Sequence, residues 1–350
     1  MKTLLVIGDE KDFDSFQKFC GQRKHLTKYD FYFEKTNYHS LLNGELPDIK
    51  TREIVVLFFF PFVYWEDNIE TKKSKGVYGN KEYFIKFKKF WKTVSQNIKK
   101  FYKNKKIHFV NNPEKIYLER DKKSVRTKLA KKRIPVSKHY LTRDYQKILE
   151  MLEDGKKFFI KVRYGSMGKG ITYLEKNYWL TNFRFRNKNI ISRKSDYGWT
   201  FVEITGNKNF LKRLMKQNIV IEEAVKPFLI KRRKFDLRIY VAFGEIIYIY
   251  PRSNSYNKII TNISQGGKGE DRYFLNSLPK KLIDQAKKSA LKAVKALGLN
   301  FAGVDIIPDS DHSIVVIEVN AFPGFPSMKN KKTRFNLSKH IIDKIGGKKW

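Results

Sequence analysis

The chain has 350 residues, 41% hydrophobic and 15% aromatic, enough apolar material for two or three cored units and too much for a disordered chain. Its 73 Lys+Arg against 35 Asp+Glu leave a formal charge of +38, which points to an acidic partner: nucleic acid, a polyanionic protein tail, a phosphorylated metabolite or an anionic membrane face. The plainer alternative is that lysine merely fills exposed helix faces. The single cysteine, Cys20, excludes an intramolecular disulfide and a thiolate zinc cluster and suits a reducing cytoplasm.

In chain order, Leu4 to Gly8 and Ile54 to Phe60 read as buried strands with amphipathic material between them, the start of an α/β unit. The opening apolar run is too short for a signal peptide. The longest apolar block, Ile54 to Trp65, is too short for a membrane helix and is broken by Pro61, so no membrane span is expected. From Lys81 to Lys106, Phe84, Phe87, Trp91, Val94, Ile98 and Phe101 recur at three- and four-residue spacing, one face of a helix whose other face is lysine-rich. Ile107 to Val110 is a short strand, and Asn111 to Ile116 marks a loop at a domain edge. Asp121 to Lys132 reads as a helix.

The stretch FIKVRYGSMGKGIT, Phe159 to Thr172, joins two short strands through Gly165, Gly168 and Gly170. It fits neither a P-loop nor a dinucleotide fingerprint, since no helix follows. Two readings stand at this point: a phosphate-holding flap and a glycine-softened hairpin. Residues 178–216 form a polar, aromatic-sprinkled insertion in which Phe183, Phe185, Tyr197 and Trp199 are suited either to base stacking or to packing one side of a hairpin on a domain. Ile219 to Glu222, Leu237 to Phe243, Ile246 to Tyr250 and Ser313 to Val319 are expected strands, and Pro279 to Leu297 an amphipathic helix.

Chemistry concentrates in two places. Glu318 and Asn320 alternate on one strand and so share a face, and a hairpin brings Asp305 onto it. Two carboxylates and an amide oxygen are hard ligands suited to Mg²⁺ on nucleotide phosphates. In KFDLRIYV, Asp236 and Arg238 share a strand face, with Arg252 and Asn262 downstream. The arginine forks suit an anion or a developing phosphoryl charge, while an isolated Asp-x-Arg is often a salt bridge alone. Glu222 and Glu223 end a strand and could offer ribose an acidic acceptor and adenine a backbone edge. The six histidines form no evident triad or metal cluster.

These segments resemble the ATP-grasp superfamily, specifically RimK-like carboxylate–amine ligases. The match runs through DKKSVRTKLAKKRIP, FIKVRYGSMGKGI, VIEEAV, TNISQGG, GVDII and EVNAFPG in order, between Asp121 and Phe325. KPFLIKRRKFDLRIYV followed by TN is similar to tubulin-tyrosine-ligase-like enzymes. The resemblance implies an ATP-grasp fold, α/β overall and α+β in the C-terminal half, preceded by an N-terminal α/β domain. Its expected units are 1–117, 118–222 with the insertion, and 223–350. It implies that Lys122 and Lys161 meet phosphates, and that the loop with Gly165, Ser166, Gly168 and Gly170 folds over them. Glu223 and Ala224 would then lie at adenine and ribose, Asp236 and Asn262 in the cleft, and Asp305, Glu318 and Asn320 on Mg²⁺ or Mn²⁺. Ala224 stands where an aromatic is usual, and Lys169 inside the glycine loop is expected to add a phosphate contact or to point outward.

The activity so implied is ATP-dependent joining of a carboxylate and an amine through an acyl phosphate, with Arg238 and Arg252 steadying the transferred group. The acceptor is expected to be acidic, such as a protein tail. A small-metabolite ligase and a nucleic-acid-binding protein with a regulatory ATP site are the alternatives.

Overall fold

A computed structural model describes residues 1–11, 15–70, 77–186, 189–191, 199–326 and 336–350. The first sheet is parallel, with strands β1 (Lys2–Ile7), β2 (Phe31–Thr36), β3 (Glu53–Phe58) and β4 (Lys106–Phe109) in the order β2-β1-β3-β4. β1 is buried on both faces, as a covered parallel sheet requires. Leu5 and Ile7 meet the helix Lys81–Phe101, and Leu4 and Val6 meet the C-terminal helix Leu337–Gly346. Asn80 caps the first of these helices by accepting from Glu82 N and Tyr83 N. Its inner face carries Phe87, Trp91, Val94 and Ile98 as expected, but Phe101 is 45% exposed because the helix ends there and Tyr102 turns inward instead. β2 has no apolar run of its own, since it is an edge strand with a half-wet face. Cys20 is buried, which pushes its thiol up to about 11.

The second sheet is antiparallel. Its strands are β5 (His139–Tyr140), β6 (Phe158–Val162), β7 (Ile171–Glu175), β8 (Tyr178–Thr181), β11 (Val202–Glu203) and β12 (Ile219–Glu223), in the order β11-β8-β7-β6-β12-β5. A separate short hairpin pairs β9 (Arg184–Arg186) with β10 (Asn189–Ile191). Residues 178–216 thus contribute two strands of the second sheet, this hairpin and the helix Lys208–Leu214. Phe183 and Trp199 are fully buried in that sheet's core, so they serve packing and not base stacking. Tyr197 lies outside the described residues.

The third sheet is also antiparallel and contains β13 (Leu229–Ile230), β14 (Arg233–Ala242), β15 (Glu245–Ser255), β16 (Lys268–Gly269), β17 (Phe301–Pro308) and β18 (Ile314–Asn320). Leu237, Ile239, Val241, Ala302, Val304 and Val319 pack with the helix Lys280–Leu297, whose Ala286, Ala290 and Ala293 permit close approach. Period-two alternation therefore turns Asp236, Arg238, Tyr240, Gly303 and Asp305 to the opposite face. That face is the floor of the clefts described next. Among the described residues, no helix is long and apolar enough to cross a membrane.

Candidate active site

A cleft of about 1090 Å³ opens between the second and third sheets. Thirteen of the sixteen candidate residues line it: Lys122, Lys161, Gly165, Ser166, Gly168, Glu222, Glu223, Ala224, Asp236, Arg252, Asn262, Asp305 and Glu318. Arg238 and Asn320 line an adjoining cleft of about 470 Å³, and Gly170 lines neither. Gly165, Ser166, Arg252, Asn262 and Glu318 border both spaces and form their junction.

On the second-sheet side, Lys161 of β6 stands opposite Val220 of β12, so Glu222 is its diagonal neighbour on the same face. Lys161 Nζ donates to Glu222 Oε2 at 2.6 Å, and Arg126 Nη1 lies 3.5 Å from Oε1. Burial opposes the charge on Glu222, but Lys161 and Arg126 outweigh it and hold the carboxyl below its usual range. Glu223 accepts from the Tyr140 hydroxyl, and Ala224 commits its N–H to Lys157 O at 2.8 Å. Arg163 clasps Asp121 through two 2.7 Å hydrogen bonds at the start of the helix Lys122–Lys131, which fixes the lysine that follows.

The glycine loop joins β6 to β7 as expected, with Gly168 and Gly170 at φ +71° and +67°, where a side chain would be strained. Lys122 Nζ donates to Gly165 O at 2.5 Å and to Glu318 Oε1 at 3.1 Å, bridging the loop to the third sheet. The Tyr78 hydroxyl accepts from Ser166 N at 3.1 Å, and Asn182 Nδ2 donates to Gly168 O at 2.6 Å. Lys169 does not point outward: it is buried, its ammonium 5.4 Å from the Tyr78 ring, 5.9 Å from the Trp199 ring and 4.0 Å from Glu70. It anchors the loop to its neighbours through attraction to the ring faces.

The third-sheet side is a row of opposed partners. Asp236 pairs with Arg252 across β14 and β15, Arg238 with Asp305 across β14 and β17, and Asp305 with Glu318 across β17 and β18. Arg252 Nε donates to Asp236 at 2.7 Å, and its Nη2 reaches Asp305 at 3.0 Å. Arg238 holds Asp305 with two bonds of 2.8 Å. Thr261 also donates to Asp236. Burial opposes the charge on Asp305, yet the two arginines take its carboxyl down to about 2. Asp236 moves upward, because burial and the neighbouring Asp305 charge outweigh Arg252. Gly303, opposite Asn320, has no room for a side chain: a Cβ would sit 2.6 Å from Pro323 Cβ.

Asp305, Glu318 and Asn320 supply oxygen donors of the type a divalent ion prefers, and the buried Asn320 Nδ2 has no hydrogen-bond partner. Asp305 and Glu318 share their charge with Arg238, Arg252 and Lys122, so an ion would join an existing network. Among the described residues, no cluster of three or more His, Cys, Asp or Glu side chains stands ready to hold a metal. The donor set fits Mg²⁺ in company with phosphate oxygens, not as an all-protein cage.

Sequence reasoning passed over Arg126, Tyr78 and the buried pair Glu119 and Arg120, which line or brace these clefts. Nothing local in one sequence separates Arg126 and Arg120 from the other basic residues. Tyr78 acts through a contact with a segment 88 residues away.

Comparison with known proteins agrees with this architecture. The family described as YheC/D-like ATP-grasp matches residues 120–344. A protein named "Probable alpha-L-glutamate ligase" from Thioalkalivibrio sulfidiphilus is 36% identical over 115 residues, 33% of this chain and 34% of that one, so the chain spans about a third of that curated relative's length. The protein of the same name from Maridesulfovibrio salexigens is 26% identical over 241 residues, 68% of this chain and 67% of its own. The ATP-grasp ligase PsnB, solved with a phosphomimetic variant of its minimal precursor, Mg and ADP, superposes with a TM-score of 0.57 at 12% identity, covering 99% of both chains, which shows a shared fold. The match over residues 120–344 takes in most of the chain, from the helix that carries Lys122 through both carboxylate strands, and the chain belongs to the YheC/D-like ATP-grasp family.

Proposed function

We propose that this protein is an ATP-dependent carboxylate–amine ligase that forms an amide or peptide bond through an acyl phosphate. The observation that carries the reading is the junction of the two clefts at Arg252, Asn262 and Glu318, flanked by Lys122. A reaction that spends a nucleotide on a second substrate needs the γ-phosphate and that substrate to meet at one place. The larger cleft would take ATP, with its phosphates toward Lys161 and Lys122 under the glycine loop and its base toward Glu223 and Ala224. The smaller cleft would take the carboxylate.

In this scheme a substrate carboxylate oxygen attacks the γ-phosphorus and ADP leaves. The amine nitrogen then attacks the acyl carbon, phosphate leaves and the nitrogen gives up a proton. Catalysis is positioning and charge neutralisation, with no protein nucleophile. Lys161, held straight by Glu222, binds the phosphates, and Arg252 and Arg238 face the group in transfer. Folded over the phosphates, the glycine loop would keep water from the acyl phosphate. Asp305, Glu318 and Asn320 would hold Mg²⁺ or Mn²⁺, which draws charge from phosphate oxygens when bound.

The relatives' names support an amino acid such as glutamate as one substrate, and the precursor bound by PsnB supports a peptide as the other. The charge of +38 favours an acidic acceptor, and the lone buried cysteine fits work in the cytoplasm. Incubating the protein with MgATP, pooled amino acids and acidic peptides tests the reading: ADP and a condensed product should appear together. ADP release without any product of summed mass less water counts against it.

A further inference from the structure

We infer that Arg120 is the anion-binding, specificity-determining residue of the smaller cleft, selecting a substrate that carries a negative group beside an apolar or planar body. This rests on the ligase reading only in taking that cleft as a substrate site. Arg120 lines the cleft, is 7% exposed, and has its guanidinium 4.9, 5.2 and 5.3 Å from the rings of Phe60, Trp65 and Phe87. Rings occupy the faces of a guanidinium and leave its donors in the plane of the edge. Here Nε and Nη1 are buried and find no hydrogen-bond acceptor. The adjacent carboxylate, Glu119, lies 3.4 Å from Nε with Oε1 and uses Oε2 to accept from Ala321 N, and burial pushes its pKa upward, weakening it as a counter-charge.

The same cleft's other arginines differ in degree: Arg238 and Arg252 make hydrogen bonds of 2.7–2.8 Å to carboxylates, whereas Arg120 has, among the described residues, only the 3.4 Å ion pair with Glu119. Two buried donor atoms of a guanidinium left without a hydrogen-bond acceptor are costly unless a ligand supplies one. The wall beside it is aromatic: Phe60 lies 4.8 Å from Phe62 and 5.7 Å from Phe322, ring to ring, and all three are half-buried. An anion would meet the guanidinium edge while the body of the ligand lies on these rings.

The test is calorimetric titration with N-acetyl-L-phenylalanine and its uncharged amide, in the absence of nucleotide. The acid should bind the wild type at least about tenfold more tightly than the amide, the scale of one charge-assisted contact. Arg120→Met should erase that preference while keeping wild-type ADP affinity. Equal affinities in the wild type, or a preference that survives Arg120→Met, overturn the inference. Should the methionine variant not fold, Arg120→Lys decides. Its compact ammonium cannot reproduce the fork, so the ratio should fall at least about threefold, and an unchanged ratio overturns the inference. Because no ATP is present, a failure of the ligase reading leaves this ratio measurable, and ADP binding alongside equal acid and amide affinities sinks only the present inference.

Discussion

Arg238 and Asp305 face each other across β14 and β17 and are joined by two parallel hydrogen bonds of 2.8 Å, while Arg252 reaches the same carboxylate from a third strand. Asp305 is therefore the counter-charge of two buried guanidiniums as well as a candidate metal ligand. Asp305→Ala is expected to cost about 3–5 kcal/mol of stability, because it leaves buried positive charge uncompensated. Glu318, paired with Lys122 in a more open position, is different: Glu318→Gln should cost at most about 1 kcal/mol yet reduce ADP release about 100-fold. Urea unfolding and an ADP assay on both variants separate the effects. Equal stability losses would contradict the network described.

If the larger cleft takes ATP as proposed, Lys161→Met should raise the dissociation constant for ATP at least about tenfold, since it removes a point charge that Glu222 fixes in that cleft. Glu222→Gln should weaken ATP binding less, because the lysine keeps its charge and loses only its orientation. Binding measured without turnover gives the order. An unchanged constant in Lys161→Met would remove Lys161 from the nucleotide site.

Much of this arrangement could be read in the sequence because polar residues in otherwise buried strands have few explanations. Asp305 and Glu318 stand out within apolar runs, and the alternation that joins Glu318 to Asn320 survives folding. The strands around Asp236 and Arg252 extend farther than expected, Arg233–Ala242 and Glu245–Ser255, because polar residues that look like loop are opposed across the sheet: Asp236 to Arg252, Lys234 to Asn254 and Arg233 to Ser255. β2 was hidden by its wet edge. Lys169 and Arg120 are buried by aromatic rings from distant segments, a relationship that no spacing rule carries. Phe183, next to Arg184, and Trp199, within a polar insertion, look exposed in sequence and are core.

Lys234 lines the larger cleft, and burial lowers its pKa to about 8. Its folded value lies below the ordinary 10.4 of an unfolded lysine, so the unfolded chain binds more protons between about pH 8 and 10, and stability should rise with pH across that window. A bound nucleotide pulls in the opposite direction by favouring the ammonium. Calorimetry at pH 8.5 in two buffers of different ionisation enthalpy should show proton uptake on ATP binding, absent in Lys234→Met. Equal uptake in the variant would assign the proton elsewhere.

Lys231 and Arg232 form the two-residue turn between β13 and β14, both with positive φ, 47° and 59°. That geometry favours Asn-Gly, so a basic pair there is held against local preference. Replacing the pair by Asn-Gly should stabilise the protein by about 1 kcal/mol. If these residues recruit an acidic acceptor, the same change should weaken binding to a poly-glutamate peptide and flatten its salt dependence. Equal affinity and equal salt slope would assign the basic pair no part in recruitment.

On the proposed reading, ATP is spent on making an acyl phosphate where the two clefts meet. Amide formation with a substrate pool labelled with ¹⁸O in its carboxyl groups, followed by mass analysis of the phosphate released, tests it most directly. One labelled oxygen should appear in inorganic phosphate for each amide formed, with ADP in equal amount. Unlabelled phosphate, or AMP and pyrophosphate as products, would contradict it.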